Sequence, residues 1–212
     1  MIDRLPNDSR RVLSIGSAVV DIFIRSANFE IEHTGQAAQL NQTFGSKIEI
    51  EHLEMKSGGA ATNTAVAFHR MGFASSVVAE MGKDNLVQII DDDLKQEGID
   101  TQLLIRERKE QTGGSVILLS GDGQRIIMVH RAAAGMLSSD DIPWSQLTDF
   151  EWVHVTSLGS QVQLMAALQQ YFASEAVPWS WNPGKNELTA LANGKLSFDT
   201  GSPDILFINE EE

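Results

Sequence analysis

The stretch Gly58-Gly59-Ala60-Ala61-Thr62-Asn63-Thr64-Ala65, with Gly72 and Gly82 beyond it, limits what this chain can fold into more than any other. Two glycines, small residues and an asparagine stand directly before an amphipathic run of Val66, Phe68, His69 and Met71. That order predicts a backbone bend feeding a helix N-terminus. Glycine permits positive φ and lets another group approach the backbone closely. The first turn of a helix leaves N–H groups that can receive a polar or anionic ligand. An ordinary tight turn before a small-residue helix packed on a sheet would share these features, so the stretch alone leaves both uses open.

Its surroundings predict an α/β protein. Val12-Leu13-Ser14-Ile15-Gly16 reads as a buried first strand, and Ser75 to Ala79, Thr101 to Ile105, Trp152 to Thr156, Val177 to Trp181 and Asp204 to Ile208 as later ones. Helical spans over Asn85–Gln96 and Gln161–Phe172 separate some of them, with Asp84 as an N-cap and Gly98 as a stop for the first. Short strands alternating with helices imply right-handed crossovers and a mostly parallel sheet. Two segments read differently. Ser46 to Leu53 alternates apolar and polar residues, and Thr112–Leu119 with Arg125–Val129 flanks Ser120-Gly121-Asp122-Gly123-Gln124, a β-hairpin. Residues 26 to 46 are polar and irregular. The triplet Asp91-Asp92-Asp93 invites a metal, but consecutive helical positions point about 100° apart and cannot converge on one ion; it reads as a solvated face. His154, inside an apolar strand, reads as a core residue more readily than as a base.

Charge and composition remove several classes of function. With 16 Lys+Arg against 29 Asp+Glu the net charge is −13, and no basic cluster is present, so nucleic acid is not an expected partner. The same field repels anionic substrates unless a local basic group overrides it. There are no cysteines, which excludes disulfides and thiolate chemistry. No apolar run approaches the ~20 residues that span a bilayer, and Met1 to Arg11 lacks a signal peptide's apolar core. A cytoplasmic protein without membrane partners is the expectation.

The spacing of Gly58, Gly59, Ala61, Asn63, Ala65, Gly72 and Gly82 resembles the signature of the PfkB (ribokinase-like) carbohydrate kinases. The resemblance runs from about Val12 to Glu212. It implies a Rossmann-like α/β/α sandwich with a mostly parallel sheet and a small β-lid, whose strands fall within about 22–53 and 112–130, on the N-terminal part of such a domain. It implies an ATP-dependent kinase acting on a hydroxyl of a sugar or nucleoside, with Mg²⁺, and a homodimer made through the lid. Asp21, a few residues past the first strand, would accept hydrogen bonds from substrate hydroxyls, and Gly58, Gly59 and Asn63 would complete the acceptor site. Asn209-Glu210-Glu211-Glu212 matches the family's N-x-x-E motif, placing Asn209 near the phosphates and Glu212 near the metal. Asn182 and Lys185 would lie beside the nucleotide. Arg131-Ala132-Ala133-Ala134 stands where many members carry Gly-Ala-Asn, so polar contacts from that segment are not expected.

The family's second signature, an Asp-x-x-Gly-Ala-Gly-Asp string that supplies the catalytic base and anion hole, does not occur in these 212 residues. The expectation is therefore an acceptor-binding half that is incomplete at its C-terminus and inactive alone, with no catalytic base in the chain. A non-catalytic sugar or nucleoside binder, or a structural protein completed by a partner, is the alternative.

Overall fold

The structure is a computed structural model and describes residues 10–34, 37–106 and 110–209. In chain order the strands and helices are β1 (Arg11–Ser17), β2 (Val19–Arg25), β3 (Glu30–Thr34), β4 (Ala37–Asn41), β5 (His52–Gly58), α1 (Ala60–Arg70), β6 (Ala74–Met81) and α2 (Leu86–Gln96). There follow β7 (Ile105–Arg106), β8 (Gly113–Leu119), β9 (Arg125–His130), β10 (Trp152–Val155), α3 (Val162–Glu175), β11 (Trp179–Trp181), α4 (Lys185–Ala192) and β12 (Ile205–Leu206). Three short 3₁₀ turns lie between β9 and β10.

Six strands form a parallel sheet in the order β12-β11-β10-β1-β6-β7. Its centre is apolar on both faces, as a parallel sheet between helices requires. Leu13, Ile15, Val153, Val155, Trp179 and Trp181 pack with α3 residues Leu164, Met165, Leu168 and Phe172. Val77, Ala79 and Met81 pack with Ala61 and Ala65 of α1 and Ile90 and Leu94 of α2. The alternation of Val77, Val78 and Ala79 between these two clusters shows that α1 and α2 cover one face and α3 the other.

After Ser17 the chain passes through the buried Ala18 and enters a second sheet, ordered β5-β2-β8-β9. β2 pairs antiparallel with β5 and parallel with β8, and β8 pairs antiparallel with β9. Thus β1 and β2 tie the second sheet directly to the middle of the first. β3 and β4 form a separate two-stranded hairpin.

Several expectations need correcting. The strand foreseen over Ser46–Leu53 lies instead at His52–Gly58; residues 46–51 join no strand ladder, whereas the segment from His52 onward finds β2 as a partner. Thr101–Leu104 is largely a turn, and only Ile105–Arg106 pairs with β6. The irregular stretch between 26 and 46 contains the hairpin of β3 and β4. The Asp91-Asp92-Asp93 face is not simply solvated. Asp91 is buried and receives both bonds from Arg106 Nη2 at 2.9 Å, and Asp93 Oδ2 accepts the Ser57 N–H at 2.7 Å. Only Asp92 stays outside, where it accepts from Gln88 one turn earlier. These two carboxylates fasten α2 to the sheets rather than dissolve its surface.

Candidate acceptor and phosphate sites

Asp21 sits on β2, directly opposite Lys56 of β5 and Ser115 of β8. Its side chain is half-buried and makes no hydrogen bond or ion pair to another described residue. The carboxylate leans over Gly58: a Cβ there would overlap Asp21 Oδ2 and Cγ and lie 3.0 Å from Oδ1. The first glycine of the motif is therefore the socket for the carboxylate. It is the last residue of β5 and not part of the bend.

The bend is Gly59, the N-cap residue of α1, with φ +103°. A Cβ at this position would run into Ser17 O and lie 2.9 Å from Ala18 Cα, so the chain can pass so close to the β1–β2 junction only without a side chain. The first turn of α1 is then pinned from outside. Ala60 N–H donates to Ser17 Oγ at 3.1 Å, and Thr62 Oγ1 donates to Gly58 O and Gly59 O. Gly82 follows the same logic further along, since a Cβ there would meet the backbone of residues 110–112. Beside it, Asp84 accepts Leu86 N–H at 3.0 Å and Thr112 N–H at 2.7 Å, linking the start of α2 to the root of β8. Burial opposes ionisation of Asp84, but the Thr112 and Leu86 amides outweigh it and hold the carboxyl below its usual range.

Asn63, one turn into α1, is exposed and lines a cavity of about 440 Å³ together with Lys56, Ser57, Thr62, Arg70 and Asp93. Asp21 does not line this cavity; Lys56 connects the two places, facing Asp21 across the strands and Asn63 across the cavity. Lys56 was not singled out in the sequence. Its signal was there, two positions before Gly58 on the same face of an alternating strand.

The residues assigned to the phosphates lie elsewhere. Asn182 follows β11 and donates to Phe207 O at 2.9 Å, so part of its amide is spent on tying the sheet edge. Asn182 and Asn209 share a cavity of about 510 Å³ with Thr64, Phe68, His154 and Phe207. Lys185 is the exposed first residue of α4 and is not among the residues lining it. The start of α4 is held by Glu187, fully buried, which accepts Leu158 N–H at 2.5 Å, Gly184 N–H at 3.1 Å and the Ser157 hydroxyl. Glu212 falls outside the described residues.

His154 is buried at 4% exposure, with its ring edge-on to Phe68 and Phe207 and Nδ1 2.7 Å from Ser180 Oγ. Ser180 Oγ also accepts the Trp152 Nε1–H at 2.8 Å. Burial pulls the His154 pKa down to about 4. The core reading of this residue fits the geometry.

A fold in which one central strand runs out of a parallel α/β sheet into a small second sheet, with a Gly-Gly helix start at the junction, defines a ribokinase-like architecture. The pattern of the pfkB family carbohydrate kinases matches residues 9–212, and the chain belongs to that family. It is 23% identical over 206 residues to a nucleoside kinase of Methanothermobacter thermautotrophicus, covering 97% of this chain and 62% of that one. It is 26% identical over 135 residues to a ribokinase of Staphylococcus aureus, covering 63% and 40%. Among solved structures, Arabidopsis thaliana ribokinase complexed with ribose and ATP superposes with a TM-score of 0.61 at 20% identity, covering 82% of this chain and 53% of that one. The chain thus spans less than two thirds of the length of these relatives. Among the described residues, no helix is long and apolar enough to cross a membrane.

Proposed function

We propose that this chain carries the acceptor-binding part of a kinase that transfers the γ-phosphate of ATP to a hydroxyl of a sugar or nucleoside. The observation that carries the proposal is the carboxylate of Asp21, half-buried in the socket left by Gly58 and without a protein donor among the described residues. An ionised carboxylate offers two acceptor oxygens and no donor, which suits a ligand made of hydroxyl groups. Gly58 seats that carboxylate, Gly59 brings the start of α1 up against the β1–β2 junction, and Asn63 adds an amide that can both donate and accept. A nucleoside kinase and ribokinases among the relatives support an acceptor of this class.

For ATP, the support is the shared cavity of Asn182 and Asn209 and the positive charge of Lys185 at a helix start. The ribokinase that shares the fold is complexed with ribose and ATP. Mg²⁺ would come with the nucleotide and neutralise charge on the transferring phosphoryl group. Among the described residues no three His, Cys, Asp or Glu side chains converge as a metal site. Glu212 is assigned to it by the motif alone.

Phosphoryl transfer requires positioning together with a base and donors for the developing charge. Asp21 positions; Glu54 and His52 of β5 share its face of the sheet but are exposed and contact each other at 3.4 Å rather than Asp21. With the Gly-Ala-Gly-Asp string also absent, the 212 residues bind the acceptor without turning over ATP. The absent string equally favours a second reading, a binder that performs no chemistry. An ATP-dependent role in a cysteine-free chain is in keeping with the cytoplasm. The exposed Ile126, Ile127, Met128 and Val129 of β9 favour a homodimer through the second sheet.

The test is calorimetry with ribose, fructose and adenosine, beside an ADP-release assay with MgATP. Saturable binding without acceptor-dependent turnover is expected, and Asp21→Ala should weaken binding roughly ten- to a hundredfold. Turnover near ~1–100 s⁻¹ would place the base within these residues. Absence of binding by any sugar or nucleoside would overturn the acceptor site itself.

A further inference from the structure

From the placement of Lys56 we infer that the acceptor carries a carboxylate and that Lys56 selects it. This rests on the acceptor site proposed above and narrows its substrate class to sugar acids. The first observation is an ion pair that does not form. Asp21 and Lys56 are directly opposed on antiparallel strands, where side chains lie about 4.5–5.5 Å apart at Cβ and opposite charges attract. Yet the Asp21 carboxylate is turned into the Gly58 socket, and Lys56 Nζ reaches Glu54 instead, at 3.5 Å. That contact joins two side chains exposed at 55% and 44%, a pairing readily exchanged for a ligand.

The second observation concerns the other charges of the Asn63 cavity. Arg70 is held by both oxygens of Glu97, at 2.6 and 3.0 Å, and Asp93 is engaged by the Ser57 amide. Lys56 is therefore the cation of this cavity not fixed by a short bond. It stands between a carboxylate that receives hydroxyls and an asparagine amide. An acceptor that donates hydroxyls to Asp21 would present its other end to Lys56 and Asn63. One ammonium matches one carboxylate. A phosphate, with nearly two charges, would meet a chain of net charge −13 with a single cation to offset it, which favours the carboxylate.

The experiment is calorimetry on the 212-residue chain with matched probes, ribonate against ribose and gluconate against glucose, plus ribose 5-phosphate. The unmodified chain should bind the acid of each pair about tenfold more tightly than the neutral sugar. Lys56→Gln should bring that ratio to about one, and Lys56→Glu should invert it, with thermal unfolding reading whether each variant folds. Equal affinity for both members of a pair, or a preference that survives Lys56→Gln, overturns the inference while leaving the acceptor site standing. Preference for ribose 5-phosphate over ribonate overturns the choice of carboxylate. Failure of every probe to bind overturns the acceptor site and this inference with it.

Discussion

Replacing Gly58 by alanine separates the binding role of the Gly-Gly pair from its structural role. The added methyl would occupy the space of Asp21 Oδ2 and Cγ, so the carboxylate must swing out of its socket. The backbone itself does not object, because Gly58 is not among the residues with positive φ. Forcing a side chain about 30° from its rotamer costs about 0.5–1.5 kcal/mol. Glycine-to-alanine at a permitted conformation returns about 0.4–1 kcal/mol through the unfolded chain. The two nearly cancel, so stability should change by less than about 1 kcal/mol. Binding should not escape so lightly, since hydrogen bonds to a charged group contribute about 1.5–3 kcal/mol, or roughly ten- to a hundredfold in affinity. Urea unfolding and calorimetry with a sugar on the same preparation read both quantities. Unchanged affinity in Gly58→Ala would refute the idea that this socket aims Asp21 at a ligand.

The neighbouring glycine should behave in the opposite way: Gly59→Ala adds a side chain at φ +103° against Ser17 O and should cost about 1–3 kcal/mol in urea unfolding. Asp84→Ala strips the Thr112 and Leu86 amides of their acceptor, with a loss of about 1–3 kcal/mol and faster amide exchange appearing first in Gly113–Leu119. Glu187→Ala leaves the Leu158 and Gly184 amides without a partner in a fully buried place and should cost about 2–4 kcal/mol by denaturant titration. His154 gives a pH signature. Its folded pKa is about 4 against an ordinary value of 6.5, so between those values the unfolded chain binds more protons and stability falls as pH falls. From pH 7 to pH 5 the loss should be about 1–2 kcal/mol, allowing for solvent in the adjoining cavity, and His154→Gln should remove it.

The parts of this fold that were legible in the sequence are those where local chemistry and tertiary demand agree. Val12–Ile15 is buried without alternation, three of its four residues apolar, because helices cover both faces of the sheet, and the hairpin of β8 and β9 is announced by Ser120-Gly121-Asp122-Gly123. The Ser46–Leu53 segment misled because alternation marks a strand only where a partner exists, and that partner, β2, begins to pair at His52. Thr101–Ile105 carries strand-forming residues, yet only its last residue reaches β6. At the site, the pairing of Asp21 with Gly58 and the bridging place of Lys56 are cross-strand relations over more than thirty positions, which no local pattern encodes. Asp91 and Asp93 were misjudged for the same reason, since Arg106 and the Ser57 amide come to them from other elements.

The central claim is that acceptor hydroxyls bind at Asp21, between the end of β5 and the start of α1. Two-dimensional ¹H–¹⁵N spectra recorded during titration with ribose and ribonate test it most directly. Saturable shifts should concentrate in the amides of Val20–Ile22 and Lys56–Asn63, and Asp21→Asn should abolish them without altering the spectrum of the parallel sheet. Shifts that gather instead around His154, Asn182 and Phe207, or that persist in Asp21→Asn, would contradict it.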